Sequence, residues 1–196
     1  MPFPRVEVAN VQFVTSQLLV GGDLSEDPRR ATEQLAELIE LGVTHVVDCR
    51  FEWSDEELFA RSAPWIRYLH TGIDDAGQIV PPEWFDEVAE FATEAMEDEH
   101  ARVLAHCHMG INRGPSAGYA VLLAQGWDAI EALDAIRSVR PVAIIDYARD
   151  ALRWHHLRRG STEALAVDLR RLEEWRRENY LDMHDVLRRI RREGWL

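Results

Sequence analysis

The spacing of apolar residues changes period along the chain, and each change predicts an element. "VQFVTSQLLVGG", residues 11–22, holds two short apolar runs around Thr15-Ser16-Gln17 and closes at Gly21-Gly22, which predicts a hairpin or a pair of edge strands. In "DPRRATEQLAELIELG" the positions Ala31, Leu35, Leu38 and Ile39 share one face of a 3.6-residue period, and the pattern stops at Gly42, so a helix is expected. Three short β-branched runs follow, "VTHVVDC", "WIRYLHTGI" and "ARVLAHC", each separated from the next by a helical pattern or a long loop. The helix before the third, "PPEWFDEVAEFATEAMED", has Pro81-Pro82 at its start and gathers Trp84, Phe85, Val88, Phe91, Ala92 and Ala95 on one face. Trp84 and Phe85 are therefore assigned to the core.

After the third run, "GPSAGYAVLLAQG", "WDAIEALDAIRSVRP" and "IDYARDALRWHHLRRG" read as helices punctuated by Gly126, Pro141 and Gly160. Strands alternating with helices imply an α/β fold, a central mostly parallel twisted sheet flanked by helices, with these three covering one face. Beyond Gly160, Leu165, Leu169 and Leu172 form one stripe and Met183, Leu187 and Ile190 another, broken near "ENYLD". The chain thus divides into a domain at 1–160 and a helical extension at 161–196, which is available to pack on the domain, to meet a second copy or to bind a partner. "RRLEEWRREN" alternates acid and base at helical spacing and is assigned to a solvated face. His155 and His156, in an arginine-rich helix, are given solvent-facing or capping roles.

Composition narrows the partners. A length of 196 residues suits one domain plus an appendage, and 46% hydrophobic with 29% charged residues reads as soluble and globular. The net charge is −13, yet residues 161–196 hold eight arginines against eight acids, so the acidic excess lies in 1–160 and argues against nucleic acid as partner. No stretch has the length of a membrane span, and "MPFPRVEVANVQF" lacks the basic start and apolar middle of a signal peptide, so a cytoplasmic protein without membrane association is expected. Two cysteines, Cys49 and Cys107, are too few for a disulfide scaffold and suit a reducing compartment.

The candidate chemistry lies in "HCHMGINRGPSAG", residues 106–118. Cys107 ends a strand, Arg113 enters a helix, and the loop between them is rich in small or polar residues. Such a turn aims successive backbone N–H groups and the positive end of a helix at one point, a natural cradle for a phosphate. The same donors favour the thiolate of Cys107, the reactive form, while Arg113 offers a planar fork to phosphoryl oxygens. Gly110 is read as a backbone position closed to other residues. His106, Cys107 and His108 are not read as a metal site, because adjacent side chains at a strand end point apart and no second ligand cluster is evident.

The motif "HC", five residues, then "R", on a strand-loop-helix, resembles the signature loop of the cysteine-based protein tyrosine phosphatases, and "HCHMGINRGPS" in a small chain resembles their dual-specificity branch. The resemblance runs from "LLVGGDLSED" to "IRSVRP", about two-thirds of the chain. It implies a phosphatase acting on phosphorylated proteins or small phosphoesters through a phosphocysteine, with no metal or cofactor. It further implies Asp75 as general acid, with Asp74 as the alternative, and a phosphate pocket lined by His108, Met109, Gly110, Ile111, Asn112 and Arg113, with His106 hydrogen-bonding the loop. The absence of lysine or further arginine from the loop resembles protein phosphatases more than the inositol-lipid branch. Cys49 ends the strand "VTHVVDC" at the same sheet edge. It reads as a buried small hydrophobe, or, as in some relatives, as a redox partner of Cys107.

A cysteine and an arginine with five residues between them are common. It is the strand before, Gly110 within, the helix after and the placed aspartate that together mark an active site. Two departures stand out: Gly114 replaces the serine or threonine that usually follows the arginine, and "VAIIDYARDALRW" lacks the amide that relatives often place after "RSVRP". They sustain a second reading, a pseudophosphatase that binds phosphorylated partners with little turnover. A rhodanese-like sulfur carrier fits less well, since its cysteine loop differs in length.

Overall fold

The computed structural model describes residues 3–193, so the last three residues of the extension lie outside the description. The hairpin forms from β1 (Val11–Phe13) and β2 (Leu18–Gly21), which pair antiparallel with Val11 opposite Gly21. Of these two, β1 alone is an edge strand. On its other side β2 pairs in parallel with β5 (Val103–His106), followed by β3 (His45–Arg50) and, at the far edge, β4 (Arg67–Ile73), giving the order β1-β2-β5-β3-β4. Leu18, Leu19 and Val20 are all fully buried, as a strand covered on both faces requires, but so short a run does not separate a buried strand from an edge strand by periodicity.

The helices are α1 (Pro28–Glu40), α2 (Glu56–Ser62), α3 (Pro82–Ala95), α4 (Arg113–Ala124), α5 (Ala129–Val139), α6 (Ala148–Arg159), α7 (Thr162–Glu178) and α8 (Met183–Glu193). Asp27 caps α1 by accepting from the N–H groups of Arg29 and Arg30, with Pro28 in the first turn. α2, which the sequence left between helix and loop, is seven residues long and buries only Phe59, too little for a visible period.

Alternation along the strands sorts two cores. Leu19, Val46 and Leu104 pack with Leu35, Leu38 and Phe59 on the α1 and α2 side. Leu18, Val20, Val47, Val103 and Ala105 pack with Phe85, Val88, Leu122 and Leu133 on the other. There α4 is buried all round, and its glycines allow the approach to the sheet: a Cβ on Gly118 would stand 2.6 Å from Val20 Cγ1. Cys49 and Cys107 continue the alternation on this same side.

The extension packs on the rest. Leu172 and Trp175 of α7 enter the main core, with Leu165 and Leu169 against it. In α8 the buried pair is Val186 and Ile190, which meet Ile111 and Val142, whereas Met183 is exposed, so the stripe expected at Met183-Leu187-Ile190 is rotated toward Val186. Trp175 likewise takes "RRLEEWRREN" partly out of solvent, its indole donating to Asp134. His156 is buried rather than solvent-facing, with Nε2 2.9 Å from Asp168 of α7. Among the described residues no helix is long and apolar enough to cross a membrane.

Candidate active site

Residues 107–112 form the loop between β5 and α4, and its carbonyls are fixed from outside. His108 O accepts from Asp23 N (3.0 Å), Met109 O and Gly110 O from the Arg140 guanidinium, and Ile111 O from Ile144 N (2.8 Å). Because N–H lies opposite C=O across each planar peptide, the amides of Met109, Gly110, Ile111 and Asn112 turn the other way, into the loop. Cys107, only 2% exposed, sits at the loop's start, its own N–H on Gly21 O (3.3 Å). Gly110 has φ +63°, and a Cβ there would run into the Arg140 guanidinium and stand 2.5 Å from the Gly21 backbone.

Arg140 is the fully buried brace of this loop. Its donors reach Gly110 O, Met109 O (2.8 Å), Asn10 Oδ1 (3.0 Å) and Gln12 Oε1. Burial pulls its guanidinium down to about 10, partly offset by Cys107, so it remains a cation at neutral pH and supports negative charge in the loop.

His106 does not make the loop hydrogen bond that the resemblance implied. Its ring lies on the opposite side of the sheet from Cys107, with Nε2 3.8 Å from Asp48 Oδ1 and Nδ1 buried without a hydrogen-bond partner among the described residues. Burial lowers its pKa against the pull of Asp48. Asp48 itself belongs to a buried network: it accepts from Arg50 Nε (2.8 Å) and Nη2 (2.7 Å) and from Tyr68 OH (2.6 Å), while Arg50 also reaches Asp55 (2.7 Å). Burial alone would raise Asp48, but His106, Arg50 and Tyr68 outweigh it and hold the carboxyl at about 2.

Arg113, the first residue of α4, is nearly as buried as Cys107. Glu52, just after β3, binds its fork with two bonds, Nη1 to Oε2 at 2.7 Å and Nη2 to Oε1 at 2.9 Å, and Ile73 O accepts a third from Nη1 at 3.0 Å. The Arg113 bond holds the Glu52 carboxyl at about 2. Nε is left buried without a hydrogen-bond partner among the described residues, 3.6 Å from Asp75 Oδ2.

Asp75 faces this guanidinium from the loop after β4. Its Oδ1 accepts from Asn112 Nδ2 (2.7 Å) and from Tyr147 OH (3.3 Å). Burial, with Asp75 beside it, pushes the Tyr147 phenol up to about 12. Asp74 instead turns its Oδ1 back onto the N–H of Asp75 (2.7 Å), and Gln78 braces the same loop through Tyr147 OH (3.1 Å).

The remaining predicted positions divide. His108 is half-exposed, with Nδ1 2.8 Å from Asp23 Oδ2 and its ring edge-on to Trp53. Met109 and Ile111 direct their side chains to the cluster of Val142, Val186 and Ile190, so these two contribute backbone rather than a side-chain rim. Asn112 is spent on Asp75, on Asp146 N (2.7 Å) and on Ser116 Oγ (3.2 Å). Ser116 therefore donates to Asn112 and does not stand in for a hydroxyl at 114. A Cβ on Gly114 would lie 2.8 Å from the His106 backbone, so a serine there does not fit without moving β5 or α4. Cys49 is fully buried on the same face as Cys107, and burial, then Cys107 and Asp48, raise its thiol well above the ordinary value.

The family model of the dual specificity phosphatase catalytic domain matches residues 28–149. The chain belongs to the dual specificity phosphatase family. It is 30% identical over 113 residues to mouse dual specificity protein phosphatase 13B, covering 56% of either protein, and so spans about half the length of that relative. Among solved structures, human DUSP28 superposes with a TM-score of 0.62 at 18% identity, covering 76% of this chain and 95% of that one. PTPMT1 in complex with PI(5)P gives 0.61 at 16%, covering 74% and 94%. These likenesses show a shared fold. The family domain ends at 149, so α6 lies almost wholly, and α7 and α8 wholly, outside the matched segment.

Three residues of the site escaped sequence reasoning: Glu52, Arg140 and Tyr147. The only signals were an acid directly after a strand that ends beside Cys107, and an arginine in "RSVRP" too deep in apolar surroundings to be a solvated charge.

Proposed function

We propose that the chain hydrolyses phosphate monoesters of proteins, phosphotyrosine and/or phosphoserine/threonine, or of small phosphoesters, through a phosphocysteine. The observation that carries this is the loop around Cys107, with four carbonyls held outward, four amides turned inward and the Nε of Arg113 without an acceptor among the described residues. The Cys107 thiolate attacks phosphorus, the P–O bond to the leaving group breaks, and Asp75 gives that oxygen its proton. Water then attacks phosphorus while Asp75 takes its proton, the S–P bond breaks, and inorganic phosphate and the Cys107 thiolate are released. Arg113 and the amides carry the charge of the equatorial oxygens throughout. Neither metal nor cofactor enters this scheme.

Residues 1–160 are read as the catalytic domain and 161–196 as its extension, in a cytoplasmic protein that binds neither membrane nor nucleic acid. The pseudophosphatase reading is not favoured, since a binder has no use for a nucleophile and an acid brought to one arginine. Phosphate release from aryl phosphates and a phosphopeptide panel tests the proposal. The wild type should turn over and Cys107→Ser should not, while still binding vanadate. Equal turnover by Cys107→Ser would reject it.

A further inference from the structure

Between the end of α5, the segment 144–146, the end of α7 and the link to α8 lies a cleft of about 210 Å³, walled by Arg137, Asp146, Trp175, Arg176, Asn179 and Tyr180. Arg137 lies over the Trp175 ring, 4.8 Å from its centroid, and gives Nη1 to Asn179 O (2.9 Å). Its Nε is buried with no hydrogen-bond partner among the described residues. Arg176 gives Nη2 to Asp146 O (2.7 Å), and its side-chain ion pair, with Glu173, is at 4.0 Å. Asp134, the acid nearest in sequence to Arg137, spends its Oδ1 on the Trp175 indole (2.6 Å). The cleft thus holds two guanidinium groups with donors to spare, one of them already desolvated, against aromatic walls and a single carboxyl, that of Asp146, whose charged form burial disfavours. An unmet buried donor of this kind costs stability that an anionic ligand would offset.

The cleft shares a wall with the catalytic loop. Ile144 N binds Ile111 O (2.8 Å) and Asp146 N binds Asn112 Oδ1 (2.7 Å) from the same three-residue segment whose other side faces Arg137 and Arg176. Ile145 at its centre is held at φ +60°, a strained conformation for a β-branched residue, so the segment is fixed by its surroundings rather than by its own preference. The next residue, Tyr147, gives its OH to Asp75 Oδ1 (3.3 Å), so the chain runs directly from this wall to the loop that carries the proposed general acid.

We propose that the cleft is a second anion subsite, taking a carboxylate or phosphoryl group on a residue that flanks the phosphorylated residue of a peptide substrate. It rests on the reading of the chain as a protein phosphatase. Arg137 and Arg176 supply charge-assisted hydrogen bonds, and the exposed Tyr180 ring covers the apolar stem of the bound side chain.

The test uses full-length Cys107→Ser protein and three phosphotyrosine peptides of one sequence, flanked by glutamine, by glutamate or by phosphoserine, titrated by calorimetry. The glutamate or phosphoserine peptide should bind about tenfold more tightly than the glutamine peptide, the scale of one charge-assisted hydrogen bond. Which of the two gains more separates a carboxylate from a phosphoryl site. The gain should disappear in Arg176→Gln and in Arg137→Gln, with binding of the glutamine peptide as the check on folding. Equal affinity for the three peptides, or a preference that survives both substitutions, overturns the subsite. Failure of the wild type to hydrolyse any aryl phosphate counts against the phosphatase reading instead, and leaves the peptide comparison to decide the subsite.

Discussion

Glu52 occupies Nη1 and Nη2 of Arg113, so the guanidinium meets an incoming phosphoryl group already oriented, with Nε toward Asp75. That geometry separates the two aspartates: Asp75 looks at the arginine, whereas Asp74 is folded into its own loop. Asp75→Asn is expected to lower turnover about 10²- to 10⁴-fold on poor leaving groups and much less on activated aryl phosphates, with Asp74→Asn close to wild type on both. A leaving-group series of kcat/KM for each variant is the check. Cys49 allows a second expectation. Asp48 pairs with His106 in the parallel register, so Cys49 and Cys107 are lateral neighbours on one face, where strands lie about 4.8 Å apart, within disulfide reach. Mild peroxide should join them, seen by mass spectrometry as a linked peptide, whereas sulfinic or sulfonic Cys107 with free Cys49 would leave Cys49 as packing alone. Cys107, Arg113, Gly110 and Asp75 were legible because their meaning is local or carried by motif spacing. Glu52 and Arg140 were not, since their bonds to the loop cross 61 and 30 residues of chain.

Elements decide how firmly the loop is held. α4 approaches the sheet on Gly114 and Gly118, which explains why the hydroxyl usual after the arginine is missing: the His106 backbone occupies its Cβ position. The opposite flank of the loop is backed by α8, where Ile190 is fully buried against Ile111 and Val142. Ile190→Ala should cost about 2–5 kcal/mol of stability and, because Ile111 loses its backing, lower kcat on an aryl phosphate as well. Thermal unfolding and steady-state kinetics on one preparation measure both. A lower Tm with unchanged kcat would confine α8 to a structural role. Helical periodicity foresaw most of these helices, yet not which face of α8 is buried, because Val186 and Leu187 both fit an apolar stripe and only the position of Ile111 chooses between them. β2 was similarly ambiguous, since edge or interior depends on whether β5, some eighty residues later, arrives beside it.

Across the whole molecule, three histidines titrate in the same sense. Burial lowers His45, His106 and His155, the last to about 4, below the ordinary 6.5. The unfolded chain then takes up protons first, so stability falls as pH drops below about 6.5. Asp48, held at about 2 against 3.8, contributes stability present above 3.8 and lost as pH falls toward 2. Asp23 and Asp146, both raised by burial, work in the opposite direction above 3.8. Urea midpoints from pH 8 to 5 should therefore decline as pH falls, and the decline should soften in His106→Gln. A flat or rising midpoint would contradict the burial of these rings.

The covalent intermediate is where the loop, Arg113 and Gly114 meet in one observable. With no hydroxyl at 114 to ease the departure of the thiolate from phosphorus, hydrolysis of the phosphocysteine should be slower than its formation. Rapid mixing with an aryl phosphate, followed by acid quench and peptide mass spectrometry, reads both steps. A burst of roughly one phenol per active site is expected before a slow steady state, with the phosphoryl group on Cys107. Turnover without any phosphoryl group on Cys107, continuing at the same rate in Cys107→Ser, would contradict it.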